Sequence, residues 1–193
     1  MTAPVLPANS PDAIARAATI LREGGLVGMP TETVYGLAAD ANNAAAVARL
    51  YAAKGRPRFN PLIAHVTDAE MARTLVEWPG MAAELATAFW PGPLTLVLPK
   101  LNAAPICDLA NAGLDSVAIR APGHASARAL LAAFGGPLVA PSANPSARRR
   151  RSRRCAGQPG HAGEPLCAAR RDAAQCAQRR VRRSPARFRR DCG

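Results

Sequence analysis

The first 140 residues of the chain repeat two patterns of apolar and polar positions. In the first, apolar residues return every three or four positions, as Ile14, Ala17 and Leu21 do after the helix-start signal Ser10-Pro11-Asp12. In the second, four or five mostly apolar residues stand together between turn residues. Helices are therefore predicted over residues 11–23, 44–54, 69–77, 81–89 and 124–134, and strands over residues 26–29, 62–66, 94–98, 117–120 and 138–140.

Strands and helices alternate over most of this stretch, which predicts a layered α/β domain with helices packed against a twisted sheet. In such sheets, ligands usually bind beside the carboxyl ends of the strands. Polar loops at residues 30–36 and 141–144 each follow a predicted strand. We expect the functional site to lie among these loops.

The pattern ends near Ala147, and the composition changes at the same point. Residues 1–147 carry ten basic and ten acidic side chains, whereas residues 148–193 carry fifteen arginines, no lysine and three acids. The whole net charge of +12 therefore lies in the second segment. Its only large apolar residues are Leu166, Val181 and Phe188, too few to offset the chain entropy of folding. We predict a folded domain over residues 1–147 and a disordered arginine-rich tail over residues 148–193.

Two explanations of this tail stay open. Arginine, alanine, glycine, proline and cysteine without lysine or isoleucine are typical of a GC-rich gene translated in the wrong frame, which would place a frameshift near codons 146–148. The alternative is a genuine arm that binds nucleic acid through its phosphates. The run Arg148–Arg154 contains no aromatic residue that could stack on a base, which favours the frameshift.

The cysteines and the apolar runs exclude several classes of protein. The spacings of the five cysteines match no zinc-site pattern, and a body of this size needs no disulfides to stabilise its core. No stretch is long and apolar enough to cross a bilayer, and the first ten residues lack the basic start of a signal peptide. We expect a soluble cytoplasmic protein without a membrane partner.

Several polar residues of the body could carry chemistry. Lys54 and Arg56 lie two positions apart at a predicted helix end, where a point charge and a planar fork suit a polyphosphate. The alternative is a helix C-terminus whose cations complement the dipole. Arg120 closes an apolar strand and needs a partner, which is either a substrate carboxylate or a structural acid.

Four motifs in a fixed order give these residues a context. They are Pro30-Thr31-Glu32-Thr33-Val34-Tyr35-Gly36-Leu37, Lys54-Gly55-Arg56-Pro57, Asn60-Pro61-Leu62-Ile63-Ala64-His65 and Pro141-Ser142-Ala143-Asn144. Taken singly, their hydroxyl and amide side chains are also ordinary turn residues. Together, over about residues 10–146, they resemble the YrdC-like family of threonylcarbamoyl-AMP synthases.

This resemblance implies a fold and a reaction. The fold is a twisted mixed α/β sheet flanked by helices around a positively charged cavity. The enzyme is a nucleotidyltransferase that joins L-threonine, bicarbonate or carbon dioxide, and ATP, with Mg²⁺ accompanying the ATP. The product, threonylcarbamoyl-AMP, serves threonylcarbamoyladenosine formation in transfer RNA, so downstream tRNA threonylcarbamoyltransferase proteins are implied partners.

The resemblance also assigns roles to individual residues. Threonine would be held by Thr33, His65, Arg120 and the backbone of Ala140, with Arg120 facing the carboxylate. The residues that would bind ATP are Lys54, Arg56, Asn60, Ser116, Ser142 and Asn144. Lys54 and Arg56 would be catalytic by stabilising charge on the departing pyrophosphate, and no protein ligand to a metal is implied.

The segment after Asn144 departs from the family pattern. Members continue with a serine- and threonine-containing segment, a Glu-Ser-Thr strand motif and a later arginine of the site, none of which this chain contains at that place. We therefore predict that the C-terminal part of the fold is missing and that the chain either folds poorly or is a weak catalyst. The alternative function is a YrdC-like module that binds double-stranded RNA without synthase activity, which the neutral body disfavours.

Overall fold

The computed structural model describes residues 5–144 and, as backbone only, residues 166–169. The elements in chain order are β1 (Val5–Leu6), α1 (Pro11–Arg22), β2 (Leu26–Pro30), β3 (Tyr35–Asp40), α2 (Ala44–Lys54), β4 (Ile63–His65), α3 (Ala69–Arg73), α4 (Gly80–Phe89), β5 (Leu96–Pro99), β6 (Ser116–Arg120), α5 (Ala125–Phe134), β7 (Leu138–Val139) and β8 (Leu166–Ala169).

These strands form one sheet in the order β1-β8-β2-β3-β7-β4-β6-β5. The pair β4 and β6 is parallel, with His65 opposite Arg120, and the other pairs are antiparallel. The prediction of an α/β fold built on a mixed sheet is thus confirmed. The parallel pair places the ends of two predicted motif strands side by side.

Each face of the sheet packs into its own apolar core. On one face, residues such as Leu37, Ala64 and Ile119 pack with α2 residues that include Leu50. On the other face, Val27, Ala38 and Leu138 pack against α1 and α5. Because side chains alternate along a strand, the register puts His65 and Arg120 on this second face.

Local signals explain where the second helix begins and ends. The side chain of Asn43 accepts a hydrogen bond from the backbone N–H of Ala46, 3.0 Å away, as an N-cap should. Gly55 ends the helix with φ = 57°, a left-handed conformation that glycine adopts without a Cβ penalty. This stop directs the chain from Lys54 into the turn that precedes β4.

Some predicted elements were wrong. The helix predicted to run to residue 77 ends at Arg73, because Leu75 and Val76 are buried and the chain there pairs with residues 99–101. The strand β3 was missed, since its residues are mostly small and the preceding loop appeared to continue through Gly36. The strand β1 at Val5–Leu6 was also missed.

The predicted tail contributes a strand where the sequence pattern indicated none. Strand β8 lies between β1 and β2 and pairs with both in the antiparallel direction. The neighbouring edge of β2 is fully buried, so this place in the sheet requires a pairing partner. The rest of residues 148–193 lies outside the described residues, and the division into a domain over 1–147 and a disordered tail stays a prediction.

No helix in the described part of the chain is long and apolar enough to traverse a bilayer.

Candidate active site

Arg120, the last residue of β6, lies at the centre of a polar cluster. The residue is only 7% exposed, and its guanidinium reaches the loop between β2 and β3. It donates from NH1 to Thr33 Oγ1 at 3.0 Å, from NH2 to Glu32 Oε1 at 2.6 Å, and from Nε to the carbonyl oxygen of Gly92 at 3.2 Å. Three of its five N–H donors are used in these bonds, so within the described residues two donors have no partner that these bonds supply.

Glu32 is the partner that the sequence analysis did not assign. Its side chain is 25% exposed and forms the ion pair with Arg120. Burial alone would raise the pKa of the carboxyl group, but hydrogen bonds from Arg120 and from the backbone of Glu32 and Gly123 outweigh burial and lower it. Glu32 is therefore ionised at neutral pH. Glu32 is thus the structural acid that pairs with Arg120. The pairing does not exclude a substrate carboxylate as a second partner, because Glu32 accepts from NH2 alone.

A hydroxyl turn presents Thr33 to Arg120. Thr31 Oγ1 donates to the carbonyl oxygen of Val34 at 2.6 Å and accepts from the backbone N–H of Val34 at 3.1 Å. Its oxygen also lies 3.2 Å from Thr33 Oγ1. Thr31 thus stabilises the loop, and Thr33 is left on its exposed side facing the guanidinium.

His65 lies next to Arg120 but beneath the surface of the site. It is 2% exposed, and Nδ1 lies 3.2 Å from the carbonyl oxygen of Ile63, which can only accept. Burial, followed by the charge of Arg120, lowers the pKa of His65 from 6.5 to about 4. The ring is therefore neutral at pH 7.

This pKa predicts a loss of stability on mild acidification. An unfolded histidine binds a proton below pH 6.5 whereas the folded one resists protonation until about pH 4, so the unfolded state gains protons first. The free energy of unfolding is expected to fall by about 2 kcal/mol between pH 7 and pH 5, since each pH unit is worth about 1.4 kcal/mol. Urea unfolding at several pH values measures this slope.

The matched control is His65→Gln, which removes the titrating group and should flatten the slope between pH 7 and pH 5. Glu32 does not confuse the result, because its lowered pKa confines its contribution to more acidic solutions. An equal slope in both proteins would show that His65 is not the titrating group.

Lys54 stabilises the turn after β7. It is 3% exposed, and its ammonium donates to the carbonyl oxygens of Ser142 and Asn144. The turn is also tied to β3, because Ala143 N donates to the carbonyl oxygen of Tyr35 at 2.8 Å. Lys54 thus joins the end of α2 to the Ser142–Asn144 motif, and its prediction as a phosphate ligand stays untested.

Arg56 and Asn60 form the turn that leads into β4. Arg56 donates from Nε to the carbonyl oxygen of Asn60 at 3.2 Å and from NH2 to that of Pro61 at 3.0 Å. The hydroxyl of Tyr51 donates to the same Asn60 oxygen at 2.9 Å. These bonds use the backbone carbonyl of Asn60, and the residue itself is exposed.

The remaining predicted residues share the face of Arg120. By strand alternation, Ser116, Ala140 and Ser142 project to this side, and Ser116 and Ser142 are partly exposed. Ser116 stands four residues before Arg120, about 13 Å along the strand, and therefore beside the Arg56–Pro61 turn. The predicted residues thus form two groups, an Arg120 group and a group around Lys54, Arg56 and Ser116.

Gly36 allows strand β3 to approach Ala140 closely. A Cβ at this position would lie 3.1 Å from the Cβ of Ala140 and 3.3 Å from its carbonyl oxygen. Gly36→Ala is therefore expected to displace Ala140 and to lower the free energy of unfolding by about 1–3 kcal/mol, the cost of overpacking. Urea unfolding tests this, with Gly80→Ala as the control, because a Cβ there meets nothing within 4 Å. Equal stability of G36A and wild type would contradict the close contact.

Two pockets lie outside this face. One of about 290 Å³ lies beyond the carboxyl ends of β4 and β6, and another of about 740 Å³ lies beside the C-terminal end of α5. Neither is lined by a predicted site residue.

The sequence as a whole matches a known family over the elements that build this site. The Sua5/YciO/YrdC family model, described as telomere recombination, matches residues 19–156. The chain belongs to this family. The match runs past Ala147, where the apolar pattern ends, and it includes every predicted site residue.

Curated family members share much of the sequence. A threonylcarbamoyl-AMP synthase of Halorhodospira halophila is 48% identical over 144 residues, which cover 74% of each chain. One from Pyrococcus abyssi is 51% identical over 129 residues, which cover 66% of this chain and 37% of that protein. The chain thus spans most of the first relative and little more than a third of the second.

The fold agrees with a solved family member. The structure of Pyrococcus abyssi Sua5 in complex with L-threonine matches with a TM-score of 0.67 and 48% identity, over 70% of this chain and 39% of that one. The recognition of the family from the four motifs is therefore confirmed. The individual site residues remain predictions.

Proposed function

We propose that this chain carries the ATP-dependent synthesis of L-threonylcarbamoyl-AMP from L-threonine, bicarbonate or carbon dioxide, and ATP, with release of pyrophosphate. The observation that carries the proposal is Arg120, a buried guanidinium beside the hydroxyl of Thr33, two of whose donors take no part in its three bonds to described residues. The names of the curated relatives and the L-threonine complex of a solved relative support the same choice.

In this proposal the Arg120 group binds the amino acid. The two remaining N–H groups of Arg120 hold the threonine carboxylate, and Glu32 fixes the guanidinium in place. Thr33 and the backbone of Ala140 border the rest of the substrate. His65 stays neutral at pH 7, so it orients its neighbours and does not supply a proton.

The second group takes the nucleotide. Its members at the N-terminal ends of β4 and β6 are Arg56, Asn60 and Ser116. Ser142 and Asn144 belong to the turn whose carbonyl oxygens accept from Lys54. The described residues contain no cluster of three or more His, Cys, Asp or Glu side chains placed to hold a metal. In this proposal Mg²⁺ enters as part of MgATP, a substrate whose phosphates supply ligands.

The reaction needs no protein nucleophile. The threonine amine first takes up carbon dioxide and releases a proton, which gives a carbamate. A carbamate oxygen then bonds to the α-phosphorus, the bond from that phosphorus to the bridging oxygen breaks, and pyrophosphate leaves. The protein contributes position and positive charge, with the cations of Lys54 and Arg56 near the leaving group.

The test combines binding with turnover. Calorimetry on the full chain, with its folding checked by circular dichroism, should give saturable heat with L-threonine and less with L-alanine, which lacks the hydroxyl. Pyrophosphate release should require L-threonine, bicarbonate and MgATP together. A folded chain that does not bind L-threonine would overturn the proposal, as would pyrophosphate release that ignores threonine.

Threonine binding also separates the proposal from the predicted weakness of the catalyst. A chain that binds L-threonine but turns over slowly would fit a site whose later elements are altered, as the departure after Asn144 suggests. Reading the gene in all three frames across codons 140–193 tests the frameshift directly. The RNA-binding alternative depends on arginines that lie outside the described residues, and it stays a prediction.

A further inference from the structure

The smaller of the two pockets is lined by residues to which the proposed reaction gives no role. We call it the tryptophan pocket; it is lined by Arg73, Trp78, Trp90, Pro91, Ala121 and Arg128, among other residues. It lies where the carboxyl ends of the parallel strands β4 and β6 meet, which is where sheets of this class commonly bind ligands. Its volume of about 290 Å³ suits a small molecule.

Its interior surface is apolar and aromatic. The ring centroids of Trp78 and Trp90 lie 5.9 Å apart with planes tilted by 48°. Pro91, Ala121 and small residues of α4 complete this surface. A ligand with an apolar or aromatic body would bury its surface here, and that burial favours binding.

Two arginines stand at the same pocket. The guanidinium carbon of Arg73 lies 5.4 Å from the ring centroid of Trp78, so the cation is placed over an aromatic face. Arg128 is an exposed residue of α5 on the pocket wall. Guanidinium groups bind carboxylates and phosphates through paired N–H groups. An anionic group on the ligand is therefore favoured.

The acids near the pocket do not cancel this charge. Asp68 lines the pocket but accepts the backbone N–H of Met71 at 2.9 Å as the cap of α3. Glu70 lies outside the lining and forms an ion pair with Arg73 at 3.5 Å, but both side chains are largely exposed to solvent, so the pair is weak. Among the described lining residues, two cations thus face one carboxylate that is already hydrogen-bonded.

Trp78 adds an unused donor. Its indole Nε1 is buried and has no hydrogen-bond partner among the described residues. A buried donor without a partner is costly and calls for an explanation. A ligand oxygen that reaches this N–H after a small movement of the ring would supply one.

We propose that the tryptophan pocket binds a small organic anion, with an aromatic or branched apolar body and one carboxylate or phosphate group. The body lies against Trp78 and Trp90, and the anion lies between Arg73 and Arg128. This site is separate from the proposed threonine and ATP groups, so its occupancy does not depend on the proposed synthase reaction.

The pocket shares backbone with the Arg120 group, which gives its occupancy a consequence. Pro91 directly precedes Gly92, and Ala121 directly follows Arg120. The backbone N–H of Gly92 donates to the carbonyl oxygen of Ala121 at 2.8 Å. Gly92 in turn accepts from Arg120 Nε. A bound anion therefore contacts residues that hold Arg120 in place, so it should change L-threonine affinity. This consequence, unlike the binding itself, rests on the proposed function.

Intrinsic fluorescence tests the binding with unusual selectivity, because the chain contains two tryptophans and both line the pocket. Benzoate and phenyl phosphate are the anionic probes, and benzyl alcohol is the neutral control. The anions should change the fluorescence saturably, with an affinity at least tenfold higher than that of the alcohol, as expected for charge-assisted bonds of about 1.5–3 kcal/mol. The stronger of the two anions identifies the preferred group.

Single variants locate the anion. Arg73→Gln and Arg128→Gln should each weaken binding by about tenfold, whereas Arg16→Gln, an exposed arginine on α1, should leave it unchanged. All three positions are exposed, so the variants should fold. No saturable change with either anion, or equal affinity in wild type and the two pocket variants, would overturn the proposal.

Calorimetry with L-threonine, with and without saturating benzoate, then tests the link to Arg120. A change of threefold or more in L-threonine affinity supports the link, and an unchanged affinity overturns it. If L-threonine does not bind at all while benzoate does, the proposed function fails and the anion site stands.

Discussion

Replacing Arg120 with lysine is expected to weaken L-threonine binding roughly 100-fold, because hydrogen bonds to charged groups contribute about 1.5–3 kcal/mol each and lysine cannot supply a planar fork. Lysine keeps the charge, so Glu32 retains a cationic partner. It loses the simultaneous bonds to Thr33 and Gly92 and the two donors proposed for the substrate. Calorimetry measures the affinity, and urea unfolding measures the stability.

Two controls separate substrate binding from structural support. Arg16→Lys, at an exposed position on α1, should change neither quantity. Glu32→Gln removes the ion pair but leaves the guanidinium of Arg120, so this variant should lose stability while it retains most of the threonine affinity. If R120K and E32Q lose the same stability and both bind threonine as wild type does, Arg120 is a structural residue only.

Lys54→Met is expected to lower both stability and turnover strongly. Methionine matches the length of the side chain but leaves the carbonyl oxygens of Ser142 and Asn144 without this donor. Each buried group that loses its partner costs about 1–3 kcal/mol, so the free energy of unfolding should fall by about 2–4 kcal/mol. Turnover of the folded fraction should fall by about 100-fold or more, because the turn that is proposed to bind nucleotide loses its support and its positive charge.

Lys100→Met is the matched control, since Lys54 and Lys100 are the two lysines of the chain. Lys100 pairs with the exposed Asp108 at 2.9 Å, and a surface pair of this kind is worth about 0–1 kcal/mol. Its loss should leave pyrophosphate release unchanged. If K54M folds as wild type does and turns over normally, Lys54 serves neither the turn nor the reaction.

The order of the elements could be predicted because it depends on local signals. The start of α2 at Asn43 and its stop at Gly55 use side-chain capping and a positive φ, both of which are properties of neighbouring residues. The apolar runs of β2, β4 and β6 are likewise visible in the chain. The motifs around Lys54, His65 and Asn144 also suffice to recognise the family.

Long-range pairing corrected the rest. Strand β3 contains Gly36, Ala38 and Ala39 among its six residues, and it is a strand because β2 and β7 pair with its two edges. Leu75 and Val76 follow the helix α3 directly, but both are buried, Leu75 in a turn and Val76 in a β-bridge to Lys100. Such outcomes depend on partners that are distant in the chain, which propensity cannot supply.

The sequence by itself determined the family, the alternation of strands and helices, and the identities of the polar residues that could carry the reaction. The tertiary structure alone decided what those residues do for one another. In the folded chain Arg120 pairs with Glu32, 88 positions away, and Lys54 donates to the carbonyl oxygen of Ser142. Burial of His65 lowers its pKa to about 4. These effects arise from distance and burial, and both exist only after the strands have assembled.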